Sequence, residues 1–203
     1  MDRSKKYFIA DFISIKNEKI FRGNEQFFSS EPDLGLNQFL KEAYKKLEIN
    51  YPKYHKMDAL CKLGTLGASV LFKHQSIELN TALVFSNASS SQEIDLKHQG
   101  SLSNIVSPAV FVYTLPNIIL GEISIKYKLQ SENVFFIEKK FNPELLFNYS
   151  EILLKTNKAF NVVCGWIELK NDEYDVFLCL VSKEGNIPFT KEKLEELYSF
   201  ENE

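Results

Sequence analysis

The 203-residue sequence predicts one α/β domain, a mixed β-sheet with helices on both faces. Short apolar runs, typical of strands buried on both faces, alternate with segments whose apolar residues recur at helical spacing. The composition, 44% hydrophobic and 25% charged, is that of a chain that folds around a core. No repeat, linker or low-complexity segment divides the sequence. We therefore expect a single domain over residues 1–203.

The first half of the sequence predicts two strands and two helices. In chain order these are a strand at Tyr7–Ile15, a polar loop around Gly23, a helix capped by Asn37 and ended before Pro52, a helix at Met57–Lys73, and a strand at Thr81–Ser86. The second helix places Gly64, Gly67 and Ala68 on one stripe, although glycine inside a helix costs about 1 kcal/mol relative to alanine. We expect another backbone to pack closely against this stripe, and a partner protein is one candidate to cover it.

The second half of the sequence predicts three strands and further helices. In chain order these are a helical turn at Ser91–Leu96, a helix at Leu115–Tyr127, a strand at Asn133–Glu138, a helix capped by Asn142, strands at Phe160–Leu169 and Tyr174–Ser182, and a helix from Thr190 to Phe200. Pro143 follows Asn142 directly, which is typical of a helix start. The polar residues between the last two strands predict a hairpin turn.

The charge and the apolar runs exclude several classes of protein. The formal net charge of −3 does not favour nucleic acid as a partner. The sequence starts without the apolar run of a signal peptide, and no apolar stretch resembles a membrane span. Cys61, Cys164 and Cys179 lie in apolar segments, so we expect reduced, buried and slowly reacting thiols. These observations predict a cytoplasmic protein.

No common catalytic or cofactor-binding motif is present, whether a glycine-rich nucleotide loop, a serine-hydrolase elbow or a zinc-protease helix. His55, His74 and His98 are interpreted as surface residues. Ser89–Ser91 follow a predicted strand, where they could bind a phosphate, but a loop that starts the next helix is the favoured interpretation. The sequence predicts no cofactor and no metal site.

Four segments carry the most specific signal in the sequence. They are Lys56–Gly64, Val84–Ser91, Ser107–Ile125 and Val163–Glu168. In their motifs, order and spacing they resemble the β-ketoacyl synthases, the condensing enzymes of the thiolase fold. The resemblance covers most of this chain but only the N-terminal half of a full synthase. It implies a single thiolase-like half built on a mixed sheet.

The resemblance also implies an altered active site. A condensing enzyme of this family uses a cysteine at a helix start, together with two histidines from its C-terminal half. Counting from Gly121, the position of that cysteine falls at or next to Lys140, where neither cysteine nor serine is present. The half that supplies the histidines has no counterpart in the resemblance. We therefore expect no catalytic residue, and we interpret Lys140 as an ordinary surface lysine.

By this resemblance the leading function is that of a catalytically silent auxiliary subunit. It is similar to the chain length factors that pair with an active synthase in fatty acid or polyketide synthesis, including aryl-polyene or flexirubin-type pathways. The acyl-tunnel segment of the family corresponds to Val106, Phe111 and Tyr113, which are alternatively core residues under a helix. The strand that pairs across the two-fold axis corresponds to Val134, Phe135, Phe136 and Ile137. The implied partner is a full-length synthase or a second copy of the chain.

Two other functions remain open at this point. One is a homodimeric module that binds an acyl chain or an acyl carrier protein. Because carrier proteins are acidic, a basic patch would mark their binding surface. The candidate residues are Lys53, Lys56, Lys62 and Lys73, which a mixed solvated surface explains equally well. The other is an active 3-oxoacyl-carrier-protein synthase or acyltransferase with an unrecognised nucleophile.

Overall fold

A computed structural model describes residues 6–32, 34–73, 75–102 and 108–200, and within them eight strands form one mixed sheet. The strands are β1 (Phe8–Lys16), β2 (Lys19–Arg22), β3 (Glu25–Ser29), β4 (Thr81–Asn87), β5 (Asn133–Ile137), β6 (Asn161–Lys170), β7 (Glu173–Ser182) and β8 (Ile187–Pro188). Their order is β3-β2-β1-β7-β6-β4-β5, and β8 pairs with the start of β1. Strand β4 runs parallel to β5 and β6, whereas the other pairs are antiparallel.

Helices cover both faces of this sheet. They are α1 (Leu36–Lys46), α2 (Ala59–Leu71), α3 (Gln92–Ser101), α4 (Pro108–Val112), α5 (Ile118–Tyr127), α6 (Pro143–Lys155) and α7 (Lys191–Ser199). One face packs against α1, α2 and α5, and the other against α6 and α7. The predicted α/β class, with a mixed sheet between two helical layers, is confirmed.

Successive side chains of the central strands point to opposite faces of the sheet, so each strand contributes to two hydrophobic cores. Leu83 and Phe85 of β4 point to the side of α2 and α5, while Ala82 and Val84 point to the side of α6. All seven residues of β4 are buried, as expected for a central strand that is covered on both faces.

The segment around Gly23, predicted as a polar loop, is instead the hairpin of β2 and β3. Two tight turns make it possible: Asn17 and Glu18 adopt positive φ (48° and 55°) between β1 and β2, and Gly23 does so (58°) between β2 and β3. The strands have four and five residues, too few to give a clear alternating pattern in the sequence.

Three predicted helix boundaries are corrected by the structure. Helix α1 starts one residue before the predicted cap Asn37, because Gly35 takes the cap position and Leu36 is buried. The predicted helix from Met57 is shorter, and Asp58 caps it by accepting a hydrogen bond from the N–H of Cys61. The predicted helix from Leu115 starts at Ile118, after a turn that contains Pro116.

The stripe of small residues on α2 is covered by the chain itself. A Cβ atom on Gly64 would lie 2.1 Å from Cδ1 of Ile119 on α5, and one on Gly67 would lie 3.0 Å from Cδ1 of Leu178 on β7. The stripe, which includes the fully buried Ala68, lies inside the core. The stripe is closely packed, as predicted, but the atoms nearest to Gly64 and Gly67 belong to side chains and not to another backbone. The suggestion that a partner covers this face is also wrong.

The outer surface of α6 and α7 is charged. It carries the ion pairs Lys191–Glu144, Lys155–Glu151 and Lys193–Glu196, each with an N–O distance of 2.8 Å or less. This side of the sheet is therefore completed with a surface suited to water. Along the described ranges, no helix combines the length and apolarity needed to cross a bilayer.

Candidate partner-binding site

Strand β5 is the last strand on its side of the sheet, and its outer edge is unpaired. The carbonyl of Glu132 accepts from the N–H of Leu83, and the N–H of Glu138 donates to the carbonyl of Asn87. Because backbone groups alternate in direction along a strand, the even-numbered residues of β5 face β4. The N–H and C=O groups of residues 133, 135 and 137 therefore point away from the sheet, and no strand in the described ranges pairs with them.

The side chains of β5 are less available than its backbone. Phe135 packs against the core beside α2 and α5, whereas Val134 and Phe136 pack on the α6 side. The ring of Phe136 lies 5.3 Å from that of Tyr149 on α6. Of the four predicted interface residues, Ile137 is the one whose side chain is mainly exposed, at 52%. The strand thus offers a neighbouring chain its backbone and one isoleucine.

The predicted acyl-tunnel residues are placed in different environments. Phe111 on α4 is 61% exposed, with its ring 5.4 Å from that of His98. Tyr113 is buried, and its hydroxyl donates to Oε1 of Glu122 over 3.3 Å. Val106 lies outside the described residues. Phe111 is thus available to a ligand or partner, and Tyr113 belongs to the core.

Glu122 on α5 is a buried carboxylate that connects three segments of the chain. It is 3% exposed, and Nζ of Lys53 lies 2.9 Å from its Oε1. The Tyr51 hydroxyl lies 3.5 Å from its Oε2, and the Tyr113 hydroxyl donates to Oε1, the oxygen that Lys53 also contacts. The hydrogen bond to Glu122 raises the pKa of Lys53, while burial and then the nearby carboxylate raise the pKa of Tyr113. Glu122 therefore fastens the loop before α2 and the end of α4 onto α5.

A second polar cluster lies one turn further along α5. Nζ of Lys126 contacts the hydroxyl of Ser69 on α2, which also accepts a hydrogen bond from the Tyr127 hydroxyl over 3.0 Å. Burial lowers the pKa of Lys126 from 10.5 to about 8, and no carboxylate in the described part of the chain forms an ion pair with it. The sequence analysis missed both clusters. The available signal was the presence of two charged residues, Glu122 and Lys126, in a mainly apolar helix, although they do not pair with each other.

The position that corresponds to the synthase nucleophile is on the surface. Lys140 is exposed in the loop between β5 and α6, beside an open groove of about 740 Å³. The groove is lined by Ile137, Glu138, Lys139, Lys140, Phe141, Asn142, Pro143, Glu144, Lys191, Glu192 and Glu195. This lining includes no cysteine, serine or histidine. Asn142 caps α6 as predicted, accepting from the N–H of Leu145 over 3.0 Å.

The loop at Ser89–Ser91 already binds an anion, the side-chain carboxylate of Glu168 from the same chain. The N–H groups of Ala88 and Ser89 donate to the Glu168 carboxylate over 2.6 and 3.2 Å. The Ser91 hydroxyl donates to the carbonyl of Thr114, which joins the loop to the end of α4. Because a side chain of the same chain occupies these donors, the loop is structural, as the sequence analysis favoured.

All three cysteines are buried, as predicted. Burial, followed by the neighbouring Asp58, raises the pKa of Cys61. The pKa of Cys179 is raised by its contact with Cys164 and by burial. A raised pKa lowers the fraction of reactive thiolate at neutral pH, so neither group has the character of an activated nucleophile.

The four lysines proposed as a basic patch do not act as one group. Lys53 is held by Glu122, and Nζ of Lys73 lies 5.4 Å from the Phe27 ring centroid. Lys62 instead has other lysines near it. Its pKa is lowered mainly by burial and further by Lys97 and Lys41, although Asp58 opposes this shift. Lysines from α1, α2 and α3 therefore share one surface.

Comparison with solved structures identifies the fold. The ishigamide ketosynthase/chain length factor matches with a TM-score of 0.66 and 14% identity, over 87% of this chain and 62% of that chain. A complex of the ketosynthase ApeO with its chain length factor ApeC, from Xenorhabdus doucetiae, matches with a TM-score of 0.59 and 14% identity, over 95% and 90%. AntDE:AntF, a type II polyketide synthase acyl-carrier protein in complex with its ketosynthase bound to the hexaketide, matches with a TM-score of 0.60 and 13% identity, over 94% and 64%.

These matches show that the chain has the thiolase-like fold of the ketosynthases and chain length factors, which confirms the resemblance found in the sequence at the level of fold. The chain spans less than two thirds of the matched chain in the first and third structures. It covers 90% of the matched chain in the Xenorhabdus complex, so those two chains have similar lengths. Neither a protein-family model nor the sequence of a curated protein matches it.

Proposed function

We propose that the chain is a catalytically silent partner of a β-ketoacyl synthase, of the chain length factor kind. The observation that carries this proposal is the free outer edge of β5. An uncovered edge with outward N–H and C=O groups invites pairing with another chain. Antiparallel pairing with the corresponding strand of a synthase would satisfy these groups and continue the sheet. The fold shared with the ApeO–ApeC complex supports this arrangement.

The surroundings of Lys140 support catalytic silence. The groove beside it has no thiol, hydroxyl nucleophile or imidazole in its lining. The three cysteines lie elsewhere and are buried. Acyl transfer by this chain would need a nucleophile that the described residues do not provide at this position.

The exposed ring of Phe111 supports a role in accommodating an acyl chain at the contact with the synthase. Val112 and Leu115 are exposed beside it, so the end of α4 presents an apolar surface. We propose that this surface contacts the growing chain or the synthase wall around it, in polyketide or fatty acid synthesis including pathways of the aryl-polyene type. Buried Tyr113 anchors this segment to α5, because its hydroxyl donates a hydrogen bond to Glu122.

Two measurements test the proposal. The tagged protein is isolated from its native cell, and co-purifying proteins are identified; a full-length β-ketoacyl synthase is expected in stoichiometric amount. The purified protein is then incubated with acyl- and malonyl-carrier protein, and its intact mass is expected to stay unchanged. A covalent acyl group on a defined residue, or a condensed product, would show instead an active synthase or acyltransferase.

A second candidate function is binding of an acyl carrier protein, which the shared surface of Lys41, Lys62 and Lys97 favours. Binding of an acidic carrier protein should weaken steeply with salt. The test variant replaces these three lysines by glutamate. The control variant replaces three other exposed lysines, Lys139, Lys140 and Lys183, by glutamate as well. Equal binding by both variants would exclude the lysine surface on α1, α2 and α3 as the binding site.

A further inference from the structure

Cys164 and Cys179 face each other across two neighbouring strands. They are paired residues in the antiparallel ladder of β6 and β7, and their Sγ atoms lie 3.3 Å apart. Directly opposed residues of antiparallel strands have Cα atoms about 4.5 or 5.5 Å apart, depending on the type of pair. Both values lie within the range of about 4.4–6.8 Å that a disulfide spans. The backbone therefore already has the spacing of a disulfide-linked pair.

The third cysteine is separated from this pair by the sheet. Cys164 and Cys179 belong to the core beneath α6 and α7, whereas Cys61 belongs to the core of α1, α2 and α5 on the opposite face. A disulfide between Cys61 and either of the others would need the sheet to open. The fold thus selects one pairing out of three.

From this geometry we propose that Cys164 and Cys179 form a dithiol site for thiol oxidants, which converts to an intrachain disulfide when the layer of α6 and α7 opens. With glutathione disulfide as oxidant, the Cys164 thiolate attacks one sulfur and releases a glutathione thiolate. The Cys179 thiolate then attacks the Cys164 sulfur of the mixed disulfide and releases the second glutathione. The two protein thiols lose two electrons and two protons, and the oxidant is reduced to two glutathione thiols.

Opening is required because both cysteines have no exposed surface. They share their core with buried Leu146 and Leu153 of α6 and Leu194 of α7. The reduced pair is therefore protected in the closed protein, and its oxidation rate reports the opening of this layer. The disulfide would close a short loop and hold β6 to β7.

The test starts with the reduced full chain in glutathione disulfide, at a urea concentration below the unfolding transition. Intact mass and peptide mapping follow the products. The expected product has lost the mass of two hydrogen atoms, contains a Cys164–Cys179 bond and leaves Cys61 reduced. The oxidised form should melt about 5–10 °C higher, because the bond restricts the unfolded hairpin.

Two variants identify the route of access. Leu194→Ala should speed disulfide formation about tenfold or more, because it loosens the layer above the pair. Leu40→Ala, on the opposite face, is the matched control and should have a much smaller effect. If native labelling with a thiol reagent shows that the two cysteines become accessible while only mixed disulfides or bonds to Cys61 form, the proposal is wrong. It is also wrong if Leu194→Ala and Leu40→Ala accelerate the reaction equally.

Discussion

The two sides of the sheet differ in where they place polar and apolar side chains. On the α6–α7 side, most apolar residues face the sheet, although Ile152 is 57% exposed, and the outer surface carries ion pairs such as Lys191–Glu144. On the α4–α5 side, the carboxylate of Glu122 is buried, while Phe111 and Ile125 are exposed. The first surface is mainly charged, as is usual for a surface in contact with water, whereas the second exposes several apolar side chains, as binding surfaces often do.

The position of β5 adds to this difference. Strand β5 borders α5, and its outer edge has unpaired backbone groups. At the other end of the sheet, β3 is also an edge strand, but it begins with exposed Glu25 and Gln26 and pairs with β2 through an irregular register. Charged residues and bulges are common means of protecting an edge. On the proposed function, β5 and not β3 is the edge expected to associate with another chain.

The largest effect is expected from proline on the outer edge of β5. In Phe135→Pro the lost N–H points away from β4, so the pairing within the chain is kept while pairing with another chain is blocked. We expect association with the synthase, or self-association, to weaken by about ten- to a hundredfold, because an acceptor of the partner strand is left buried without a donor, at a cost of about 1–3 kcal/mol. Sedimentation and co-purification measure the change.

Two controls separate the edge from the core in this experiment. Phe135→Ala removes the ring but keeps the outward N–H, so it should retain more association than the proline variant. Gln26→Pro on β3 should leave association unchanged. Circular dichroism verifies that each variant folds. A wild-type chain that is a monodisperse monomer and binds no synthase would show that the β5 edge is not an interface.

The next effect concerns the buried carboxylate. Glu122→Leu removes the partner of Lys53 and the acceptor of the buried Tyr113 hydroxyl. The Lys53 side chain is 45% exposed and returns to water, so the loss comes mainly from the Tyr113 hydroxyl left buried without an acceptor. The free energy of unfolding, measured by urea denaturation, should therefore fall by about 2 kcal/mol. Glu151→Leu on α6, which breaks a solvent-exposed pair with Lys155, is the matched control and should change it by less than about 1 kcal/mol. Equal losses would contradict the contrast between the two sides.

A smaller and pH-dependent effect is expected at Lys126. Because its pKa falls from 10.5 to about 8 on folding, the unfolded chain holds one more proton than the folded chain between these values. Stability attributable to this group therefore rises as pH increases through 8, by about 1–2 kcal/mol after allowance for solvent screening. Lys126→Met should be more stable than wild type at pH 7 and should lose this rise.

Tyr127 has the opposite effect on stability at higher pH. Burial raises its pKa from 10.0 to about 12, so above pH 10 the unfolded state loses a proton that the folded state keeps. Stability then falls with pH, and Tyr127→Phe should reduce the fall. Thermal melting of both variants between pH 6 and 11 measures the two slopes. Because the raised pKa values of Cys61 and Cys179 lower stability over part of the same pH range, the Lys126 contribution is measured as the difference between wild type and Lys126→Met. A difference that stays constant between pH 7 and 10 would contradict the assignment of Lys126.

The sequence predicted elements where local signals and tertiary packing agree. Asn142 and Pro143 marked the start of α6, and the polar turn at Asn171 and Asp172 marked the β6–β7 hairpin, where both residues adopt positive φ. The β2–β3 hairpin escaped prediction because its strands are too short to show alternation. A partner protein was considered as the neighbour of Gly64, whereas the structure places Ile119 of α5 there. Ile119 is distant from Gly64 in the sequence, and no local pattern indicates that α5 packs against α2.

The candidate site was predictable to a similar degree. The apolar run of β5 indicated a strand, and the resemblance to the condensing enzymes implied its place at the edge of the sheet. The sequence around Lys140 showed neither cysteine nor serine at the position that corresponds to the nucleophile. The sequence could not predict that Phe111 is exposed and Tyr113 buried, since both are aromatic residues on one short segment. The difference in burial follows Glu122: the Tyr113 hydroxyl donates a hydrogen bond to this buried carboxylate, whereas the Phe111 ring stays on the surface.

The smallest effect is expected on the outer surface of α6 and α7. Lys191→Ala removes the ion pair with Glu144, whose two side chains are largely exposed. Such a pair gains little in water, because solvent and salt screen it and ordering two long side chains costs entropy. We expect no measurable change in melting temperature or in association. Phe111→Ala, at a similarly exposed position on α4, should also leave the melting temperature nearly unchanged but should weaken association with the synthase. If Lys191→Ala weakened association as much as Phe111→Ala, both sides of the sheet would contact partners, and the distinction between them would fail.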